Sequence, residues 1–150
     1  MINSKTILEE IKKLKFPKGH YIIVWSWPMI VRNIRESNDI DIVVSNKLFE
    51  KCKQDNREQI SWTYPDKLWQ IYLRKNNIEL YLDVNCGSFN PKLEELIERS
   101  DLIGDIPFVS LDDIIKLKKA YNKPKHLEDI KKIERYLKNN LKFKIVYKWI

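Results

Sequence analysis

Residues 21–44 read YIIVWSWPMIVRNIRESNDIDIVV. Tyr21-Ile22-Ile23-Val24 is an apolar run of β-formers, which predicts a short buried strand. Pro28 suits the first turn of a helix, and the pattern carries that helix from Met29 through Glu36. Asp39 to Val44 is the next strand, where Ile40, Ile42 and Val43 are apolar but two acids interrupt them.

Those two acids are the first sign of chemistry. Side chains alternate along a strand, so Asp39 and Asp41 share a face, their Cα atoms about 6.5 Å apart. Neighbouring carboxylates repel and are costly to bury. A cation should compensate. Arg32 and Arg35 are candidates, and so is a divalent ion, because hard oxygen ligands suit Mg²⁺. Ile78 to Val84, IELYLDV, is a further strand that carries a third carboxylate. Asp83 is the expected third acid. Glu79 competes with it, on the same face by period 2 but further along. Three acids at the ends of adjacent strands are the usual protein part of a two-metal phosphoryl-transfer site.

Working outward, Ser4 to about Lys15 is an amphipathic helix with Ile7, Ile11 and Leu14 on one face. Ser45 caps a helix over Lys47 to Lys53. Glu58 to Tyr64 and Lys67 to Arg74 read as strands around Tyr64-Pro65-Asp66, and Asn76-Asn77 is a turn. Pro91 opens a helix from Lys92 to Arg99, and Pro107 to Val109 is extended. Ser110, with Asp113 three residues on, resembles a capping box for a helix to Tyr121. A second helix runs from Lys125 to Leu137. The tail alternates Leu141, Phe143, Ile145, Tyr147 and Trp149 with Lys142, Lys144 and Lys148, which predicts a basic strand over 141–150. The expectation is one α+β domain spanning 1–150: a mixed β-sheet flanked by helices, with C-terminal helices over about 110–138.

The 43% of hydrophobic residues is enough for a core, and no apolar run approaches a membrane span. The N-terminal helix is too charged for a signal peptide, so the expected compartment is the cytoplasm. Cys52 and Cys86 lack a CxxC or Cys/His context, which argues for free thiols and against zinc. The 28 basic against 21 acidic residues give +7, a surplus that favours anionic partners.

A strand, a Ser, a helix and a strand bearing Asp-Ile-Asp together resemble the minimal nucleotidyltransferases of the DNA polymerase β superfamily. Ser26 is followed by twelve residues, 27–38, and then Asp39. IELYLDV matches the later single-acid strand. VSLDDIIKLKKAYNKPKHLEDIKKIERYL resembles the helical part of small bacterial members, among them antibiotic nucleotidyltransferases and those paired with toxins. Its phrase Lys125-His126-Leu127-Glu128-Asp129-Ile130 has His126 where Asp is usual. The resemblance implies transfer of a nucleoside monophosphate from an NTP, with ATP expected, to a hydroxyl, releasing pyrophosphate. It makes Asp39, Asp41 and Asp83 ligands of Mg²⁺ or Mn²⁺, with Asp83 helping to deprotonate the acceptor. Ser26 would hold the β and γ phosphates at a helix N-terminus. Lys118 and Lys125 would contact the triphosphate. The acceptor stays open among a small molecule, a protein and an RNA end. Tyr64, Trp69 and Tyr72 are candidates for an acceptor pocket. His20 and His126 receive no catalytic role.

The pattern departs from the family at Trp25, where Gly is usual, and at Trp27, where a small residue is common. Gly there permits positive φ and close approach of a phosphate to the backbone. Three readings follow. The site has diverged; or a tryptophan stacks on a base or acceptor; or the native protein has other residues there, since Gly and Trp codons differ by one base. The alternative to the enzyme is a catalytically impaired domain of the same fold. Trp25 and Trp27 would plug its phosphate site, and it would bind nucleic acid or a protein partner, as an antitoxin does.

Overall fold

The computed structural model describes residues 4–24, 27–30, 39–62 and 70–148, with side chains for all of these except 4, 5, 27, 28 and 141–148. The order of elements is α1 (Ser4–Leu14), β1 (Tyr21–Ile23), α2 (Trp27–Ile30), β2 (Ile40–Val44), α3 (Asn46–Lys53), β3 (Glu58–Ser61), β4 (Ile71–Lys75), β5 (Ile78–Tyr81), α4 (Leu93–Glu98), β6 (Asp101–Ile103), β7 (Ile106–Phe108), α5 (Leu111–Tyr121) and α6 (Pro124–Lys148). The strands form one mixed sheet in the order β3-β4-β5-β2-β1-β7-β6. The pairs β2/β5 and β1/β7 are parallel, and the others are antiparallel. The chain is therefore α+β, as the sequence predicts.

Alternation along the strands divides the core in two. Ile40, Ile42 and Val44 of β2 join Ile23, Leu73 and Leu80 against Ile7 and Ile11 of α1 and Leu48 and Phe49 of α3. Val43, Ile22, Val24 and Tyr81 pack on the other side against Met29 of α2, Leu96 of α4, Ile114 and Leu117 of α5 and Ile133 of α6. Asp41 is two residues from Val43 and shares its face. The acids thus lie on the side of the sheet that carries α2 and the C-terminal helices.

The caps follow the sequence. Ser45 Oγ accepts from the Leu48 N–H at 3.2 Å, and Ser110 Oγ accepts from the Asp113 N–H at 3.1 Å. Asp113 does not complete a capping box. Its buried carboxylate instead takes the Arg99 guanidinium, with Nε at 3.0 Å. Ser110→Ala should cost about 1 kcal/mol, seen as a melting temperature about 3 °C lower. An unchanged melting temperature would show that the cap contributes nothing to α5.

Two sequence expectations meet corrections. The tail is not a strand: α6 continues through Lys148. Helix propagation adds one hydrogen bond per residue once the nucleus exists, and no Pro or Gly interrupts 125–148. A period-2 pattern of ten residues does not outweigh that. The strand β6 was not anticipated, although its signal is present. Gly104 and Asp105 both have positive φ, 57° and 64°, in a two-residue hairpin connection to β7. Helix 29–36 and the strand ends in 63–69 fall largely outside the described residues. No helix among the described residues is long and apolar enough to cross a membrane.

Candidate active site

Sheet register decides which acids meet. In the parallel pair β2/β5, Asp41 stands opposite Glu79, with Ile40 opposite Ile78 and Ile42 opposite Leu80. In the antiparallel pair β4/β5, Arg74 stands opposite Glu79, and in β3/β4 Glu58 stands opposite Arg74. Residues directly opposite share a face. One level of the sheet therefore reads Glu58, Arg74, Glu79, Asp41 across four neighbouring strands. Just past β1 the level ends at Val24, whose N–H donates to the Asp41 carbonyl at 2.9 Å. The chain then enters Trp25 and Ser26, which lie outside the described residues. The side chain of Trp27, at the start of α2, lies outside them too.

Glu79 is buried and its two oxygens have different partners. Arg74 donates to Oε1 from Nε at 3.1 Å and from Nη2 as well. The Tyr81 hydroxyl donates to Oε2. Burial, followed by the charges of Asp41 and Glu79, raises the Tyr81 phenol far above its ordinary value, so it stays a donor. The hydrogen bond to Glu79 likewise raises Arg74 further and keeps it charged. Tyr81 stacks on Tyr72 with ring centroids 5.0 Å apart, and Trp62 lies 5.1 Å from Tyr81. An aromatic patch thus borders the acids toward β3 and β4. Of the pocket candidates, Tyr72 belongs to it, whereas Tyr64 and Trp69 lie outside the described residues.

Asp41 is the strained member. Its carboxyl is pushed well above the usual carboxylate range, first by burial, then by the charges of Glu79 and Asp39; Arg74 offsets part of this. Such a group calls for a proton or a cation. Asp39 is exposed at the mouth of β2.

Asp83, the expected third acid, does not stand level with Asp41 in this register. Asp83 lies past the end of β5, four residues beyond the level of Asp41, about 13 Å along an extended chain. Its Oδ1 accepts from the Asn85 N–H at 3.0 Å. It lines a separate cavity of about 280 Å³ with Ser45, Asn46 and Lys92. Period 2 puts Glu79 and Asp83 on one face, but only register can say which is level with Asp41. A larger cavity of about 750 Å³, lined by Arg99, Ser110, Lys116 and Tyr136 among others, shares no residue with the Asp41 group.

Lys118 and Lys125 separate. Lys118 is buried in the α5–α6 contact, where its Nζ lies 3.0 Å from Asp129 Oδ2. Lys125 is exposed on the first turn of α6. His126 is buried between them, and its Nδ1 is a buried nitrogen with no hydrogen-bond partner. Burial first, then the charges of Lys118 and Lys125, lower its pKa to about 4. The unfolded chain protonates this ring near pH 6.5 and the folded chain does not. Its contribution to stability is present above pH 6.5 and falls away as pH drops toward 4. Replacing it with a side chain that does not titrate, His126→Gln, should flatten that part of the melting-temperature profile between pH 7.5 and 4. Parallel profiles for the two proteins would sink the assignment.

No protein-family model matches the chain, and no curated protein matches it. The functional reading rests on the site's own chemistry. Among the described residues, no group of three His, Cys, Asp or Glu side chains is arranged to hold a metal ion. The donor type nonetheless suits Mg²⁺ or Mn²⁺. Asp41 is destabilised by neighbouring carboxylates, and Mg²⁺ is commonly held by one or two carboxylates plus substrate phosphates.

Proposed function

We propose that the chain is a metal-dependent nucleotidyltransferase of the polymerase β type, which moves a nucleoside monophosphate from an NTP to a hydroxyl. The carrying observation is the carboxylate of Asp41 on β2, with Glu79 in register beside it on parallel β5 and Asp39 two residues away. Glu79 takes the place that the sequence pattern assigns to Asp83. A divalent ion held by Asp39 and Asp41 would neutralise the phosphates and polarise the reacting oxygens.

The chain's own residues supply the rest of the reading. Asp39, exposed, lies where an NTP phosphate and its ion would arrive. Glu79 takes Arg74 of β4 on one oxygen, and Tyr81 fixes its orientation through the other. Lys125, exposed on α6, supplies positive charge for a triphosphate. Lys118 acts through the α5–α6 contact rather than directly. Ser26 remains the expected phosphate grip. The positive net charge favours an anionic substrate. The acceptor is a small molecule, a protein side chain or an RNA end.

The test is pyrophosphate release from NTPs by purified protein with Mg²⁺ or Mn²⁺ and a panel of acceptors. Release that needs the metal supports the reading; release that is the same in Asp39→Asn/Asp41→Asn sinks it. A second reading, a non-catalytic binding domain, draws on one observation: Arg74 already supplies a cation to Glu79.

A further inference from the structure

The chain's surplus of positive charge is not spread evenly. Residues 116–142 hold ten Lys and Arg and three acids, a surplus of seven, which equals that of the whole chain. The remainder is balanced. On α6, Lys131, Arg135, Lys138 and Lys142 follow one another at steps of four, three and four residues. That spacing keeps positions on one face of a helix. Lys131, Arg135 and Lys138 are all exposed. The positions two residues before each, Asp129, Ile133, Tyr136 and Asn140, lie about 200° around the helix. That side meets the domain: Asp129 and Ile133 are buried, and Tyr136 packs against the same core cluster as Ile133. The basic line is therefore opposite the packed side.

We propose that this face of α6 is a docking surface for the phosphate backbone of a double-stranded nucleic acid. The inference stands apart from nucleotidyl transfer, since it needs neither the acids nor a metal. Eleven residues of helix span about 16 Å, and one strand of a duplex carries a phosphate about every 3.4 Å of axis. Each cation of the line thus has a phosphate within reach. A membrane is the poorer fit, because a helix on a lipid surface buries an apolar face in it. In α6 that face, with Ile130 and Ile133, is already committed to the core. A protein partner is the poorer fit too, because such interfaces are anchored by large side chains in fitted pockets. Between 131 and 139 the line is flanked by Glu134 and Asn139, and no apolar residue lies on it. Glu128 holds Lys131 only at 3.9 Å, with both side chains largely exposed, so the pair is weak and yields to a phosphate. Contacts to phosphate carry no base identity, and binding is independent of sequence.

The test titrates the full chain into a short labelled RNA duplex, and into a DNA duplex of the same sequence, and reads fluorescence anisotropy across a salt series. Four phosphate contacts should weaken binding by about a hundredfold between about 50 and 200 mM salt. Arg135→Gln/Lys138→Gln removes two of them and should flatten the slope of log affinity against log salt by about 2. Lys12→Gln/Lys13→Gln removes the same charge from exposed positions of α1, which packs on the other side of the sheet, and should leave the slope unchanged. Circular dichroism shows that both variants are folded. Either duplex bound with this pattern supports the surface. An unchanged slope in Arg135→Gln/Lys138→Gln, or equal flattening by the two double variants, overturns it. Binding to vesicles of phosphatidylcholine and phosphatidylserine but to neither duplex overturns it in favour of a membrane. Absence of binding at about 100 µM protein in low salt also overturns it. Pyrophosphate release is a separate readout, so the nucleotidyltransferase reading stands or falls on its own.

Discussion

Asp41→Asn should abolish nucleotide transfer and raise the melting temperature of the metal-free protein. The first effect follows from the role proposed for the carboxylate. Removing one fixed electrostatic partner of a developing charge costs on the order of 10² to 10³ in rate, and Asp41 is asked to hold the ion itself. A loss of about a thousandfold or more is therefore expected in pyrophosphate release. The second effect follows from what the carboxylate meets when no ion is present. Burial and the charges of Glu79 and Asp39 favour its neutral form. Folding the ionised form costs free energy at neutral pH, and stability falls as pH rises above the ordinary carboxylate range. An asparagine keeps the shape and can donate to Glu79, as a protonated aspartate does. Activity down with stability up marks a group kept for function. A lower melting temperature would show that Asp41 stabilises the fold. Unchanged activity would remove it from the site.

The sequence carried most of the sheet and only part of the site. Tyr21 to Val24 and Ile40 to Val44 read directly as strands because their apolar residues leave few alternatives, and Ser45 and Ser110 announce their helices. The third acid could not be read the same way. Glu79 and Asp83 obey the same period, and a strand's partner level is fixed by contacts with another part of the chain. One local clue did exist. A two-residue turn at Asn76-Asn77 pairs Lys75 with Ile78 and hence Arg74 with Glu79. That pairing places a basic and an acidic side chain face to face and ties Glu79 into the sheet. Arg74 and Tyr81 were missed for the same reason: each looks like an ordinary strand residue until register sets it beside Glu79. The tail erred in the opposite direction, because alternation over Leu141 to Trp149 is a local signal and α6 extends from a helix already formed.

Lys118→Ala should destabilise the protein by about 3–5 kcal/mol, the cost of breaking a buried ion pair from one side. The ammonium is 2% exposed and Asp129 is 6% exposed, 3.0 Å apart. Alanine would leave the Asp129 carboxylate in the α5–α6 contact without that ammonium. The melting temperature should fall by about 10 °C. The double variant Lys118→Met/Asp129→Leu separates structure from substrate contact. Apolar residues of similar volume in place of both ions are often neutral or better, so the double variant should recover most of the loss. On the proposed function it should also keep an unchanged KM for NTP, the outcome expected if the Lys118–Asp129 pair fixes α5 against α6. A recovered melting temperature with a sharply raised KM would instead return Lys118 to the triphosphate. Lys125→Ala, at an exposed position one residue before His126, provides the contrast: little change in melting temperature and a raised KM for NTP.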